Sequence, residues 1–138
     1  MPLPPRLFCD TSFFYASLDP ADVNHERGRE ITHAAAGDGV TFWTTWDIVS
    51  ETVTLLRYRR GFQAALAFLA EVKPQLCLAA YGDGVRHEAE DVFRTYGRQR
   101  RLSFCDAISF VVVTALLDRM PCLAFDADFR RLGLTVIH

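Results

Sequence analysis

Short apolar runs of about four residues alternate with longer stretches of helical periodicity along this chain of 138 residues. The apolar runs fall at 6–9, 40–43, 76–79, 122–125 and 134–137. Between them lie helical patterns at about 23–36, from a cap at Thr44 or Thr45 to about 60, and at 62–72, 84–96 and 103–118. An apolar run too short for a helix, bounded by turn residues, reads as a strand buried on both faces. Strands alternating with helices predict an α/β chain with a central, mainly parallel sheet of four to five strands. The expected architecture is one domain, 1–138, built as a three-layer α/β/α sandwich. Gly61 is expected to break the second helical region and Pro74 to end the third.

Bulk composition narrows the class. Half the residues are hydrophobic and 23% are charged, as in ordinary compact folds. No apolar run approaches the ~20 residues needed to cross a bilayer. The start, Met-Pro-Leu-Pro-Pro-Arg, lacks the basic and apolar regions of a secretory signal, so a cytosolic (cytoplasmic) location is expected. Cys9, Cys77, Cys105 and Cys122 are widely separated, with no C-x-x-C pair, which argues for free thiols rather than zinc or disulfides. The net charge of −2 gives no global basic field. The cations are nonetheless unusual, because Lys73 is the only lysine and the arginines cluster at 57–60, 98–101 and 130–131. Arginine is the better bidentate phosphate ligand, but cations also complement helix C-termini.

Four carboxylates occupy positions where apolar segments end or should be buried: Asp10, Glu51, Asp106 and Asp126. Asp10 follows the first apolar run and precedes a helix, where it serves either as an N-cap or as a ligand. Glu51 shares a three-and-four spacing with Ile48, Thr52 and Leu55, a stripe expected to face the core. Asp106 completes a capping box opened by Ser103 at the start of an apolar helix, whose dipole favours its ionised form. Asp126 and Asp128 follow another apolar run, and spacing alone does not separate ligand from cap there. One sheet edge could gather all of these acids. Like charges so gathered are costly without a cation or a shared proton, which points to a divalent metal and phosphate chemistry.

These pieces together resemble the PIN-domain ribonucleases, in particular the VapC toxins of bacterial toxin–antitoxin pairs. The resemblance runs through Phe8-Cys9-Asp10-Thr11-Ser12, Asn24-His25-Glu26-Arg27 and the segment 44–52 ending in Ser50-Glu51-Thr52. It continues through Leu102-Ser103-Phe104-Cys105-Asp106 and Ala124-Phe125-Asp126-Ala127-Asp128-Phe129. It implies that Asp10, Glu51, Asp106 and Asp126 are the catalytic acids and hold the metal, with Asp128 an outer or alternate ligand. It makes Thr11 or Ser12 the hydroxyl supporting the first aspartate. Many relatives carry Ser or Thr two residues before the fourth acid, and this chain has Ala124.

The implied activity is hydrolysis of RNA phosphodiester bonds by an endoribonuclease using Mg²⁺ (or Mn²⁺), with Arg100 and Arg101 among the substrate-clamping cations. Implied partners are RNA, a cognate VapB-like antitoxin and a second copy in a homodimer, with no membrane. The alternative is a PIN-fold RNA-processing or non-catalytic binding module. His25 is expected to be structural. A response-regulator domain needs a strand-end lysine that Lys73 does not supply, and a phosphatase needs a D-x-D that Asp10-Thr11-Ser12 lacks.

Overall fold

The computed structural model describes residues 2–98 and 100–138. Gln99, inside one arginine cluster, lies outside the described residues. In chain order the elements are β1 (Arg6–Cys9), α1 (Thr11–Leu18), α2 (His25–Asp38), β2 (Thr41–Thr44), α3 (Trp46–Arg60) and α4 (Phe62–Ala67). They continue with β3 (Cys77–Leu78), α5 (Asp83–Tyr96), α6 (Phe104–Val111), β4 (Cys122–Leu123), α7 (Asp128–Arg131) and β5 (Val136–Ile137). The sheet has five strands in the order β3-β2-β1-β4-β5. All four pairings are parallel. This is the PIN-like α/β/α arrangement that the alternating pattern predicts.

Strand order and handedness together place the helices. From β1 the chain steps outward to β2 and then β3, and right-handed crossovers put α1 to α4 on one face. It then returns across the sheet to β4 and steps to β5 on the other side, so α5 to α7 cover the opposite face. Helix contacts agree: α1 packs on α2 and α3, α5 on α6, and α6 on α7. The winding of the chain across the sheet therefore reverses between β1 and β4. The carboxyl ends of those two strands form the crevice where open α/β sheets bind ligands.

The core is aromatic and aliphatic. Leu7, Phe8 and Cys9 of β1 are fully buried, as are Cys122 and Leu123 of β4, consistent with strands covered on both faces. Phe8 and Phe129 meet with ring centroids 6.4 Å apart, and Phe13 stands edge-on to Phe42 at 5.7 Å. Gly28 lets α2 approach α1 closely, since a Cβ there would stand 2.7 Å from Ser17 Oγ and 3.1 Å from its Cα.

Three expectations need correction. The chain does not stop helically at Pro74. It passes through a π turn (Phe68–Val72) into a 3₁₀ turn (Lys73–Gln75), whose first residues need no N–H. The apolar helix from Ser103 is α-helical only to Val111, then widens to a π turn (Val112–Leu116). Asp118 and Arg119 end it at φ 51° and 54°. That segment is also not buried all round, because Ala115 and Leu116 are exposed. Phe68 belongs to the core, while Tyr58 and Phe62 are exposed.

Candidate active site

Register brings the first and fourth acids together. Cys9 pairs with Leu123, and the Asp10 N–H donates to the Leu123 carbonyl at 3.0 Å. The residues following the two strands thus leave the sheet side by side. Asp10 caps α1 and is buried. Its Oδ2 accepts from Ser12 N–H at 3.2 Å and from Ser12 Oγ at 2.7 Å. Ser12 Oγ also accepts from Phe125 N–H at 3.0 Å, one residue before Asp126. A single hydroxyl in the first turn of α1 therefore ties Asp10 to the loop after β4.

Asp106 arrives from the other face. Ser103 and Asp106 form the expected capping box, with Asp106 N–H donating to Ser103 Oγ at 3.0 Å and Ser103 N–H to Asp106 Oδ2 at 3.2 Å. The box fixes the carboxylate at the positive end of α6. Asp126 lies exposed at the rim, its Oδ1 accepting from Asp128 N–H at 3.3 Å. Asp128 opens α7 and faces Arg131 at 3.9 Å.

The acids feel one another. Burial first, then the charges of Asp126 and Asp106, push the Asp10 carboxyl up to about 7 against the pull of the Ser12 hydrogen bonds. Asp106 rises to about 6, chiefly through burial and also through Asp126 and Asp128. Asp126 is raised too, led by desolvation from the chain crowding its inner side and then by Asp128 and Glu51. Solvent reaches Asp126, so its shift says less about stability than that of Asp10.

Glu51 corrects one expectation. Thr45 caps α3 by accepting from Ile48 N–H at 3.2 Å, and the buried stripe becomes Ile48, Val49, Thr52 and Leu56. Glu51 falls beside that stripe and is exposed. It nonetheless faces the group, since its charge helps raise both Asp126 and the half-buried thiol of Cys105. Cys105 is the neighbour that sequence reading does not single out, although its place before Asp106 is a signal.

Of the two hydroxyl candidates, Ser12 supports Asp10, whereas Thr11 Oγ1 is buried with no hydrogen-bond partner. Among the described residues Arg100 makes no ion pair with the acids. Its guanidinium donates to the Arg131 carbonyl at 2.6 Å and lies over the Tyr96 ring at 5.3 Å. Arg101 is exposed. His25 Nδ1 donates to the Ala16 carbonyl at 2.8 Å, pinning the start of α2 to α1 as a structural residue would.

The match that decides kinship covers almost the whole chain: residues 7–134 match the PIN domain family. The chain belongs to the PIN-domain family. This PIN domain is 29% identical over 122 residues to a VapC ribonuclease of Archaeoglobus fulgidus, a match spanning 87% of this chain and 76% of that protein. Mycobacterium tuberculosis VapC20, a toxin that cleaves the sarcin–ricin loop, superposes with a TM-score of 0.80 at 27% identity, covering 94% and 96% of the two chains. VapBC2 from Rickettsia felis, solved with a promoter DNA fragment, gives a TM-score of 0.62 at 10% identity over 96% of this chain and 97% of that one. At that identity the likeness is one of fold alone.

The donor set of this PIN domain is all hard oxygen, the kind preferred by Mg²⁺ and Mn²⁺. Among the described residues, no three His, Cys, Asp or Glu side chains stand close enough to hold an ion directly. The acids repel one another across a shared edge without closing a cage. That arrangement fits an ion that keeps several of its waters and takes one or two carboxylates, not a fully protein-ligated ion.

Proposed function

We propose that this protein is a metal-dependent endoribonuclease and the toxin of a VapBC-type pair, cutting RNA phosphodiester bonds with water as the nucleophile. The observation that carries this reading is the convergence of Asp10, Asp106, Asp126 and Asp128, with Glu51 beside them, at the switch point between β1 and β4 of a PIN domain. Likeness to a VapC ribonuclease and to a toxin that cleaves the sarcin–ricin loop supports the substrate class.

Of the acids at this edge, Asp10 and Asp106 are the two buried deepest and held by hydrogen bonds, so they are assigned as the principal ligands. Asp126 and Asp128 stand nearer the open side and would complete the set around a bound ion, and the exposed Glu51 would help orient the attacking water. A bound Mg²⁺ or Mn²⁺ would supply the positive charge that makes water nucleophilic near neutral pH and offsets charge on the phosphoryl oxygens. Without a cation, the acidic edge repels an RNA backbone; protons held by Asp10 and Asp106 only partly relieve that repulsion.

The family resemblance also assigns a VapB-like antitoxin as partner, and a second copy of the chain. Large exposed apolar side chains on α3 and α4, namely Trp46, Tyr58, Phe62 and Leu66, offer area for such protein contacts. Among the described residues no helix is long and apolar enough to cross a membrane.

The test is cleavage of total cellular RNA by purified protein, with ends mapped by sequencing. Cleavage at discrete sites that stops in excess EDTA and returns with Mg²⁺ or Mn²⁺ is the expected result. Unchanged cleavage in excess chelator overturns the metal assignment, and no cleavage with either metal overturns the nuclease in favour of a binding module.

A further inference from the structure

Next to the acidic edge lies a cleft of about 240 Å³, lined by Ser12, Tyr15, Asp22, Asn24, Arg59 and Phe125 and bordered by Asp126. It is continuous with the site, since Ser12 supports Asp10 and holds the Phe125 N–H, and Asp126 closes its rim.

The cleft wall carries both a cation and hydrogen-bonding groups. The Arg59 guanidinium lies over the Tyr15 ring, 5.2 Å from its centroid. Tyr15 is buried and donates its hydroxyl to Asp19, so this platform is rigid. Arg60 pairs with Asp19 at 3.6 Å and Arg57 covers the Phe62 ring at 5.1 Å. Arg59 has no carboxylate partner among the described residues. It is an oriented cation beside a group of acids that leave it unpaired.

Asn24 and Asp22 add hydrogen-bonding groups to the same wall. Asn24 occupies the N-cap position of α2, yet its side chain makes no cap hydrogen bond. It is half-buried, leaving an amide donor and acceptor facing the cleft it lines. Asp22 Oδ1 accepts from Asn24 N–H at 2.8 Å, which leaves the second carboxylate oxygen for another donor. Phe125 also lines the cleft, stacked on Phe13 at 6.1 Å and so fixed in place. A phosphate suits Arg59 and is repelled by Asp22, whereas a base with an exocyclic amino group suits Asp22 and Asn24. Aromatic faces with a neighbouring arginine are the usual furniture of single-stranded nucleic-acid sites.

We propose that this cleft seats the nucleotide adjacent to the scissile bond, with Arg59 gripping its phosphate and Asn24 and Asp22 selecting a base that bears an amino group. The proposal rests on the ribonuclease reading above and adds to it which nucleotide-binding residues this chain uses. Arg59, rather than Arg100 or Arg101, becomes the substrate-positioning arginine.

The test uses the wild-type protein and its Arg59→Ala, Arg59→Lys, Arg57→Ala and Asn24→Ala variants, all exposed or half-buried positions outside the core. Steady-state cleavage is measured on a 12-nucleotide RNA centred on the dominant mapped cut site, at several salt concentrations. Arg59→Ala should raise KM about tenfold or more with kcat within about twofold, as loss of a charge-assisted contact implies. It should also flatten the salt dependence of kcat/KM by about 0.7 in log–log slope, the value of one single-strand phosphate contact. Arg59→Lys should recover part of the loss, and Arg57→Ala should match wild type. Asn24→Ala should erase a bias for A, C or G over U at one position flanking the cut. If Arg59→Ala behaves like Arg57→Ala in KM and salt slope, the cleft assignment is overturned while the nuclease stands. If wild type does not cleave RNA with Mg²⁺ or Mn²⁺, the nuclease reading falls and the cleft assignment falls with it.

Discussion

Replacing Asp10 by Asn should stabilise the metal-free protein at alkaline pH and abolish its activity. In the fold, burial and then the Asp126 and Asp106 charges hold the Asp10 carboxyl at about 7, against an ordinary value of 3.8. A tenfold change in proton affinity corresponds to about 1.4 kcal/mol, so an ionised Asp10 removes at most about 4 kcal/mol of folding stability. The sign follows from proton counts. Between pH 3.8 and about 7 the folded chain keeps a proton on Asp10 that the unfolded chain has lost, so stability falls as pH rises through that window. Asparagine carries no such penalty, although its amide N–H groups need partners in a site built for a carboxylate. Subtracting roughly 2 kcal/mol for that loss leaves a gain of about 2 kcal/mol at pH 8, shrinking toward zero or reversing near pH 4. For a domain of this size the gain at pH 8 corresponds to roughly 6 °C in Tm. Thermal melts followed by circular dichroism, in EDTA at pH 4, 6 and 8, measure it directly. Addition of Mg²⁺ or Mn²⁺ should raise the Tm of wild type at pH 8 and leave the variant nearly unmoved. A variant less stable than wild type at pH 8, or a difference that does not vary with pH, would refute the argument that these charges destabilise one another.

Metal affinity should itself depend on pH, because Asp10 and Asp106 hold protons to about 7 and 6 that an ion must displace; isothermal titration with Mn²⁺ should show clearly weaker binding at pH 5.5 than at pH 8. Ser12→Ala removes the acceptor of Phe125 N–H and the donor to Asp10 together, so it should cost about 1–3 kcal/mol in a urea melt and lower kcat more than KM. Ser103→Ala opens the capping box and should cost about 1 kcal/mol by the same assay, with a loss of activity through the loosened Asp106. Phe129→Ala, by contrast, should cost about 3–5 kcal/mol through a core cavity beside Phe8 while leaving metal affinity in the surviving folded protein unchanged.

Most of the fold is legible in the sequence because strands covered on both faces leave an unmistakable trace: 7–9 and 122–125 are short, wholly apolar and followed at once by aspartate. Asp10 and Asp106 are legible for a second reason, since N-caps and capping boxes are local motifs that place a side chain before any tertiary contact is known. Glu51 is not legible in the same way. A three-and-four spacing defines a stripe only to within one helical position, and capping by Thr45 rotates the buried stripe toward Val49 and Leu56, leaving Glu51 outside it. The tail of the apolar helix misleads because hydrophobicity says that a segment wants cover, not that it has it; Ala115 and Leu116 remain exposed. Arg59 and Asn24 lie 35 residues apart, and no periodicity in the chain announces that α1, α2 and α3 bring them to one cleft.

Ala124 shows how geometry answers a departure in sequence. Family members that carry a hydroxyl two residues before the fourth acid have a donor in that loop, and here the position is a buried methyl. Ser12 reaches across from the first turn of α1, which follows β1 directly, so the hydroxyl comes from the neighbouring helix start and not from the loop itself. It can do so because parallel register sets Cys9 against Leu123. The consequence is coupling. A hydroxyl within the β4 loop would orient Asp126 alone, whereas Ser12 holds Asp10 and the Phe125–Asp126 backbone with one oxygen, so a shift in either loop is felt by the carboxylate of the other. Two acids that repel each other are thus kept at a common edge by a neutral bridge, and the repulsion that remains is what a doubly charged ion would relieve.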